Sequence, residues 1–211
     1  MRWTVSSIVQ VRRHRIVPLQ TFASSLCILL AVTPSPLVFA QSMFRNMADQ
    51  TFSLTSRIKL NNGLTMPHIH LGVYLMSGPE ANASVSHALD AGYRAVDSAQ
   101  MYNNERQSGQ AILAHLKAHP ELKREDVHYT SKLASNSNYD RVRKSITKSV
   151  KECGLGYIDL FLLHSPYGGK QLRLESWRAI EDAIDAGEIK TGGVSNYGEK
   201  HVRVLRRGIP P

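Results

Sequence analysis

Ile158-Asp-Leu-Phe-Leu-Leu163 is apolar on both faces apart from Asp159, as expected of a parallel strand covered on either side by helices. Working outward from it, Tyr157–His164 is flanked by two amphipathic stretches. Tyr139–Cys153 carries Val142, Ile146 and Val150 at helical spacing and stops at Gly154, while Leu174–Ala186 is closed by Gly187. The same alternation extends both ways. Upstream, strands are expected at His68–Tyr74, Tyr93–Ser98 and Val127–Leu133, with helices at Ala81–Ala91 and from about Asn104 to Pro120. Downstream come a strand at Ile189–Ser195 and a short helix at Glu199–Arg207. Ahead of them all, Arg57-Ile-Lys-Leu60 and Leu64-Thr-Met66 flank Asn61-Asn62-Gly63, a hairpin signal. Five strand–helix units predict an α/β fold with a parallel sheet, either doubly wound or a barrel.

Two features favour the barrel. His70-Leu-Gly-Val-Tyr-Leu-Met76 holds a single glycine, so the dinucleotide fingerprint expected after the first strand of a Rossmann unit is missing. Polar residues also recur at the strand C-termini: Asp97, Lys132, His164, and Ser195 with Asn196. Barrel active sites are built from those ends and the loops that follow.

The chain has 211 residues and is 42% hydrophobic and 20% charged, a globular composition. Its net charge of +9 is lopsided. Arg2, Arg12, Arg13, Arg15 and Arg45 precede the first acidic residue, Asp49, and from there on 21 basic residues face 17 acidic ones. Nucleic acid is therefore not an expected partner, and Lys200, Arg203, Arg206 and Arg207 read as a solvated helix face. Cys27 and Cys153 show no disulfide or zinc spacing. His68 and His70 alternate on a strand without Cys or carboxylate spacing, so no metal is expected.

Residues 1–55 are expected to form an extension outside the domain of residues 56–211. The apolar run Phe22–Val32 is shorter than the ~20 residues of a membrane span and is closed by Pro34 and Pro36. Basic residues before that run and Val38-Phe39-Ala40 after it would fit a secretory signal; the acid-free, Arg- and Ser-rich composition would fit a mitochondrial presequence. The favoured expectation is an upstream extension, with a start at Met43 or Met47 and a cytoplasmic protein.

Chemically, Asp97, Lys132, His164 and Tyr102 could make a proton-transfer site. A phenol of pKa ~10 is a poor acid at neutral pH, and an adjacent ammonium such as Lys132 is expected to lower that value. Asp97 is the available counter-charge for a lysine facing a cavity. A neutral His164 could donate a hydrogen bond to a carbonyl oxygen.

Asp97-Ser-Ala-Gln-Met-Tyr102-Asn-Asn-Glu105, Thr130-Ser-Lys132-Leu, Leu162-Leu-His164-Ser-Pro166 and Gly193-Val-Ser195-Asn196-Tyr resemble, in order and spacing, the motifs of the aldo-keto reductases. The resemblance covers Ile58 to the C-terminus. It implies a (β/α)8 TIM barrel with an N-terminal hairpin, reduction of aldehydes or ketones by NADPH, and no metal. It also implies roles: Tyr102 as general acid, Lys132 and Asp97 as its tuning pair, and His164 as the residue orienting the carbonyl. Ser195 and Asn196 would bind the nicotinamide carboxamide and Asp97 would lie near its ribose. Gly72, Val73 and Tyr74 would line the site. Relatives continue for three further strand–helix units, so a C-terminally truncated barrel of about five units is expected. The alternative expectation is a catalytically inactive fragment or an interaction module that self-associates through its open edge.

Overall fold

The computed structural model describes residues 53–208. The expectations for the N-terminal extension, its apolar run included, lie almost wholly outside these residues. No helix among the described residues is long and apolar enough to cross a membrane.

Two strands, β1 (Arg57–Lys59) and β2 (Thr65–Pro67), form an antiparallel hairpin with Ile58 opposite Met66. The Asn-Gly signal works as expected: Gly63 takes a φ of +89°, and Leu60 N donates to Leu64 O at 2.7 Å. Five parallel strands follow: β3 (Leu71–Gly72), β4 (Ala95–Asp97), β5 (His128–Leu133), β6 (Ile158–Leu163) and β7 (Ile189–Val194). They lie in the order β3-β4-β5-β6-β7. A doubly wound sheet reverses direction at a switch point. Here each strand is laid beside its predecessor, which is barrel winding, and the (β/α) barrel class holds for the five units present. The helices after successive strands are α1 (Gly78–Asp90), α2 (Glu105–Ala118), α3 (Tyr139–Cys153), α4 (Gly169–Asp185) and α5 (Glu199–Gly208).

The strand period of two separates the sheet's faces. Phe161 and Leu163 join the helices in the main core, with Ile112, Val142, Ile146, Trp177 and Ile180. Leu160 and Leu162 point the other way and pack with Met66, Ile58 and Leu60 of the hairpin. The hairpin therefore lids the inner face, and Asn62 Nδ2 donates to Thr191 Oγ1 of β7 at 3.0 Å. Asp159, the polar exception in its strand, accepts from Tyr129 N at 2.9 Å and from Arg124 Nη2 at 2.8 Å. Between α2 and α3 the fit is close enough that a Cβ on Gly109 would stand 1.8 Å from Cys153 O.

Three boundaries differ from expectation. The strand forecast over His68–Tyr74 shrinks to Leu71–Gly72. His70 Nε2 bonds Pro67 O before it, and after it the chain turns, with Leu75 at a φ of +63°. Helix α1 starts at Gly78 rather than Ala81, because Ser77 and Glu80 form a capping box with Pro79 in the first turn. Helix α4 starts at Gly169 rather than Leu174, after Gly168 and Gly169 take φ of +93° and +86°.

At the N-terminal end of the strands the rings of His70 and His128 meet edge-on with centroids 5.3 Å apart. Burial pushes His128 down to about 3 and lowers His70 as well. Each is thus neutral in the fold and protonated in the acid-unfolded chain. The unfolded state binds the extra proton as pH drops below ~6.5, so stability falls with falling pH until about 3. Urea melts are expected to show a loss of up to about 1.4 kcal/mol per pH unit per such histidine below pH ~6.5, and His128→Phe should flatten that slope. An unchanged slope in the variant would rule out His128 as a source.

Candidate active site

The strand period also brings the candidate residues together. Thr130 is paired with Leu160 and Lys132 with Leu162, both inward-facing, and Asp97 is paired with Thr130. Asp97, Lys132 and His164 therefore share the inner face at the C-terminal ends of three adjacent strands. Ser195, whose N–H donates to Leu163 O at 2.9 Å, ends the fourth.

Lys132 has 4% of its side chain exposed against 30% for Asp97. Its Nζ is ion-paired with Asp97 Oδ1, donates to Ser98 O at 2.9 Å and makes a long 3.5 Å contact with Tyr102 Oη. Tyr102 ends a 3-10 turn, Gln100–Tyr102, which the left-handed Asn103 closes. Its ring lies 5.8 Å from that of His164, edge to face, and 5.0 Å from that of Tyr74. Asp97, Lys132, Tyr102 and His164 thus form one contiguous group. Tyr74, with 64% of its surface exposed, caps it on the solvent side. Gly72 leaves open space where a side chain would stand. Val73 is different: it is fully buried in the core and does not line the site.

The expected lowering of the Tyr102 phenol does not occur. It is pushed up to about 12, first by burial, then by the negative charge of Asp97 and by Tyr74. The physical reason is that the Lys132 ammonium is already matched by Asp97, so little net positive field is left for a phenolate. The phenol is therefore protonated throughout the neutral range. Burial and the Lys132 charge lower His164, leaving a neutral imidazole. Its Nδ1 is buried with no hydrogen-bond partner among the described residues.

On the neighbouring strand end, Ser195 is buried and Asn196 is exposed in the left-handed conformation, with φ +60°. Asn196 Nδ2 donates to His164 O at 2.9 Å and to Ser195 Oγ at 3.1 Å. Both bonds use the amide nitrogen of Asn196.

Three buried or half-buried polar residues that sequence reading passed over hold this group in place. Asn104 Nδ2 donates to Val73 O at 2.9 Å and Met76 O at 3.1 Å, and its Oδ1 accepts from Ser98 Oγ at 2.8 Å. It ties the loop bearing Tyr74 to the end of β4. Gln100 Nε2 donates to Ser145 Oγ and Ser149 Oγ at 2.8 and 2.9 Å, and its Oε1 accepts from Ala134 N at 2.8 Å. Glu105 accepts from Ser131 Oγ at 2.5 Å and from Ser149 Oγ at 3.2 Å, with burial raising its pKa. The one available signal was their place in the Asp97–Glu105 stretch.

A protonated phenol, a neutral imidazole and an ion-paired lysine in contact with one another suit proton delivery to an oxygen beside them. The model of the Aldo/keto reductase family matches residues 69–211. A protein described as an uncharacterized oxidoreductase of Schizosaccharomyces pombe is 49% identical over 157 residues, 74% of this chain and 56% of its own length. The crystal structure of an aldo/keto reductase from Brucella melitensis superposes with a TM-score of 0.68 at 36% identity, over 74% of this chain and 60% of that one. That of a Bombyx mori aldo-keto reductase in complex with NADP gives 0.65 at 34% identity, over 72% and 54%. The chain thus spans between half and two thirds of the length of these relatives.

Replacing Asn104 by Ala removes its donation to the carbonyls of Val73 and Met76, leaving Val73 O only the long 3.3 Å bond from Met76 N. The expected cost is about 2 kcal/mol, with faster hydrogen exchange in residues 73–77. Exchange there matching the parent would show that Asn104 does not hold the Tyr74 loop.

Proposed function

The chain belongs to the aldo/keto reductase family, and on that premise we propose that its strand-end group reduces an aldehyde or ketone to the alcohol with NADPH as hydride donor. The observation that carries the reading is the contact of a protonated Tyr102 with the Lys132–Asp97 pair and, ring to ring, with His164.

The residues fit a nicotinamide cofactor. The partly exposed Asp97 carboxylate and the exposed Asn196 amide, bonded to the buried Ser195, offer acceptors for a ribose and a carboxamide. These three would hold the nicotinamide end, and when bound the cofactor supplies a hydride to the carbonyl carbon. The protein's own residues do the rest. His164, neutral, donates to the carbonyl oxygen and orients it. Tyr102 gives that oxygen its phenolic proton as negative charge develops there. An alkoxide is far more basic than a phenolate of pKa about 12, so the transfer runs downhill despite the raised value. Lys132 stabilises the phenolate left behind, and Asp97 holds the ammonium beside Tyr102. Tyr74 leans against Tyr102 from the solvent side and would offer an aromatic surface to the substrate.

The full chain assayed with NADPH and short aldehydes should turn over, and Tyr102→Phe should lower kcat at least about 100-fold while NADPH affinity changes less than threefold. Turnover by the variant close to that of the parent would remove Tyr102 from the role of acid.

A further inference from the structure

At the other end of the helices, three metal-ligating side chains meet that the reductase reading does not use. Asp90 is the last residue of α1; His115 lies in the last turn of α2 and His119, four residues on, caps it. One ligand atom from each lies within 4.8 Å of the others. His115 Nδ1 stands 3.1 Å from Asp90 Oδ1, and the two imidazoles lie 4.3 Å apart and 33° from parallel. Glu121 Oε1 bonds His119 Nδ1 at 3.0 Å.

We propose that Asp90, His115 and His119 form a binding site for a divalent transition-metal ion, of which Zn2+ is the best-suited example. Two imidazoles and one carboxylate are a donor set that Zn2+, Ni2+ and Cu2+ accept and that Mg2+ does not favour. Spacing alone does not carry the assignment. His115 has 6% of its side chain exposed, and its Nε2 is buried with no hydrogen-bond partner among the described residues. Nδ1, the nitrogen beside Asp90, is the one placed to carry a metal, and the burial of the ring holds it in position. Tetrahedral bonds of about 2.0–2.1 Å put ligand atoms about 3.3 Å apart. The His115–Asp90 pair is already at that separation. His119, with 44% of its side chain exposed, and Asp90, with 63%, are free to swing in, and they leave the site open to solvent for a metal and its fourth ligand.

The surroundings favour a cation. Both helices direct their C-terminal carbonyls to this end, where positive charge is stabilised. Glu121 on His119 Nδ1 has the place of the outer carboxylate that orients a metal-bound histidine. The site lies away from the strand C-termini, since α1 leads from here into the start of β4. Its effect is therefore to staple α1 to α2.

The test uses the full chain without a histidine tag, stripped with a chelator and titrated with Zn2+ by calorimetry, with Co2+ by visible absorption, and with Mg2+ as control. A saturable site with tetrahedral Co2+ bands is expected, with a melting temperature that climbs with Zn2+ as mass action requires and does not respond to Mg2+. The double variant Asp90→Asn/His119→Ala should weaken Zn2+ binding at least tenfold with its metal-free melting temperature little changed, both side chains being largely exposed. Should that variant fail to melt cooperatively, His119→Gln alone decides by the same tenfold criterion. Absence of saturable binding in the parent, or a loss under tenfold in the deciding variant, overturns the site.

Discussion

A lysine ammonium with 4% of its side chain exposed, at the end of a parallel strand, is what the arrangement of the site depends on. Such a charge is tolerable only with a counter-charge and with its remaining protons placed on acceptors. Both requirements are met from one direction, by the neighbouring strand β4: Asp97 supplies the carboxylate and Ser98 its carbonyl. This works because the register pairs Asp97 with Thr130, placing Lys132 two residues further along the same inner face. One residue of slip would turn Lys132 toward the helices, where Ser131 now meets Glu105. The proton-transfer group is thus a consequence of strand register as much as of residue choice.

The charge balance that makes the lysine tolerable also sets the character of the tyrosine. With a free ammonium beside it, a phenol would ionise more readily. With the ammonium matched by Asp97, burial prevails and Tyr102 rises to about 12. A phenol that keeps its proton at rest can give it up only to a far stronger base, whereas a partly ionised one would already have lost it to solvent.

How much of this was legible in the sequence follows from the range over which each signal acts. The alternation in Ile158–Leu163, the Asn-Gly hairpin and the helical spacing of Val142, Ile146 and Val150 are local, and each corresponds to an observed element. Asp97, Lys132 and His164 were legible because each follows a readable strand. Asn104, Gln100 and Glu105 were not, since what matters about them is a partner between 26 and 49 residues away. Alone, each looks like an ordinary polar residue at the start of a helix. The start of α1 lay within reach, because Ser77-Gly-Pro-Glu80 is a capping box in the sequence itself. The tyrosine's raised pKa was beyond reach, because its sign turns on how much of the lysine's charge is already spent.

The two ends of the sheet solve opposite problems with the same kinds of residue. At the C-terminal end the loops carry exposed side chains, and a hydrophobic core anchors them only in part, through Val73. They are held by directional bonds from buried amides and a carboxyl, Asn104, Gln100 and Glu105, while Tyr74 stays exposed. At the N-terminal end nothing need move. There Arg124 pairs with Asp159, and His70 and His128 sit neutral with their rings meeting edge-on. Polar groups at that end are buried or partly buried and either paired, as Arg124 is with Asp159, or neutral, as the two histidines are. The exposed Asp90 and half-exposed His119 beside a buried His115 do not fit that pattern. A structural ion pair in this position would have no need of a second histidine stacked against the first, whereas a metal that joins two helix ends needs donors from both and an opening to solvent.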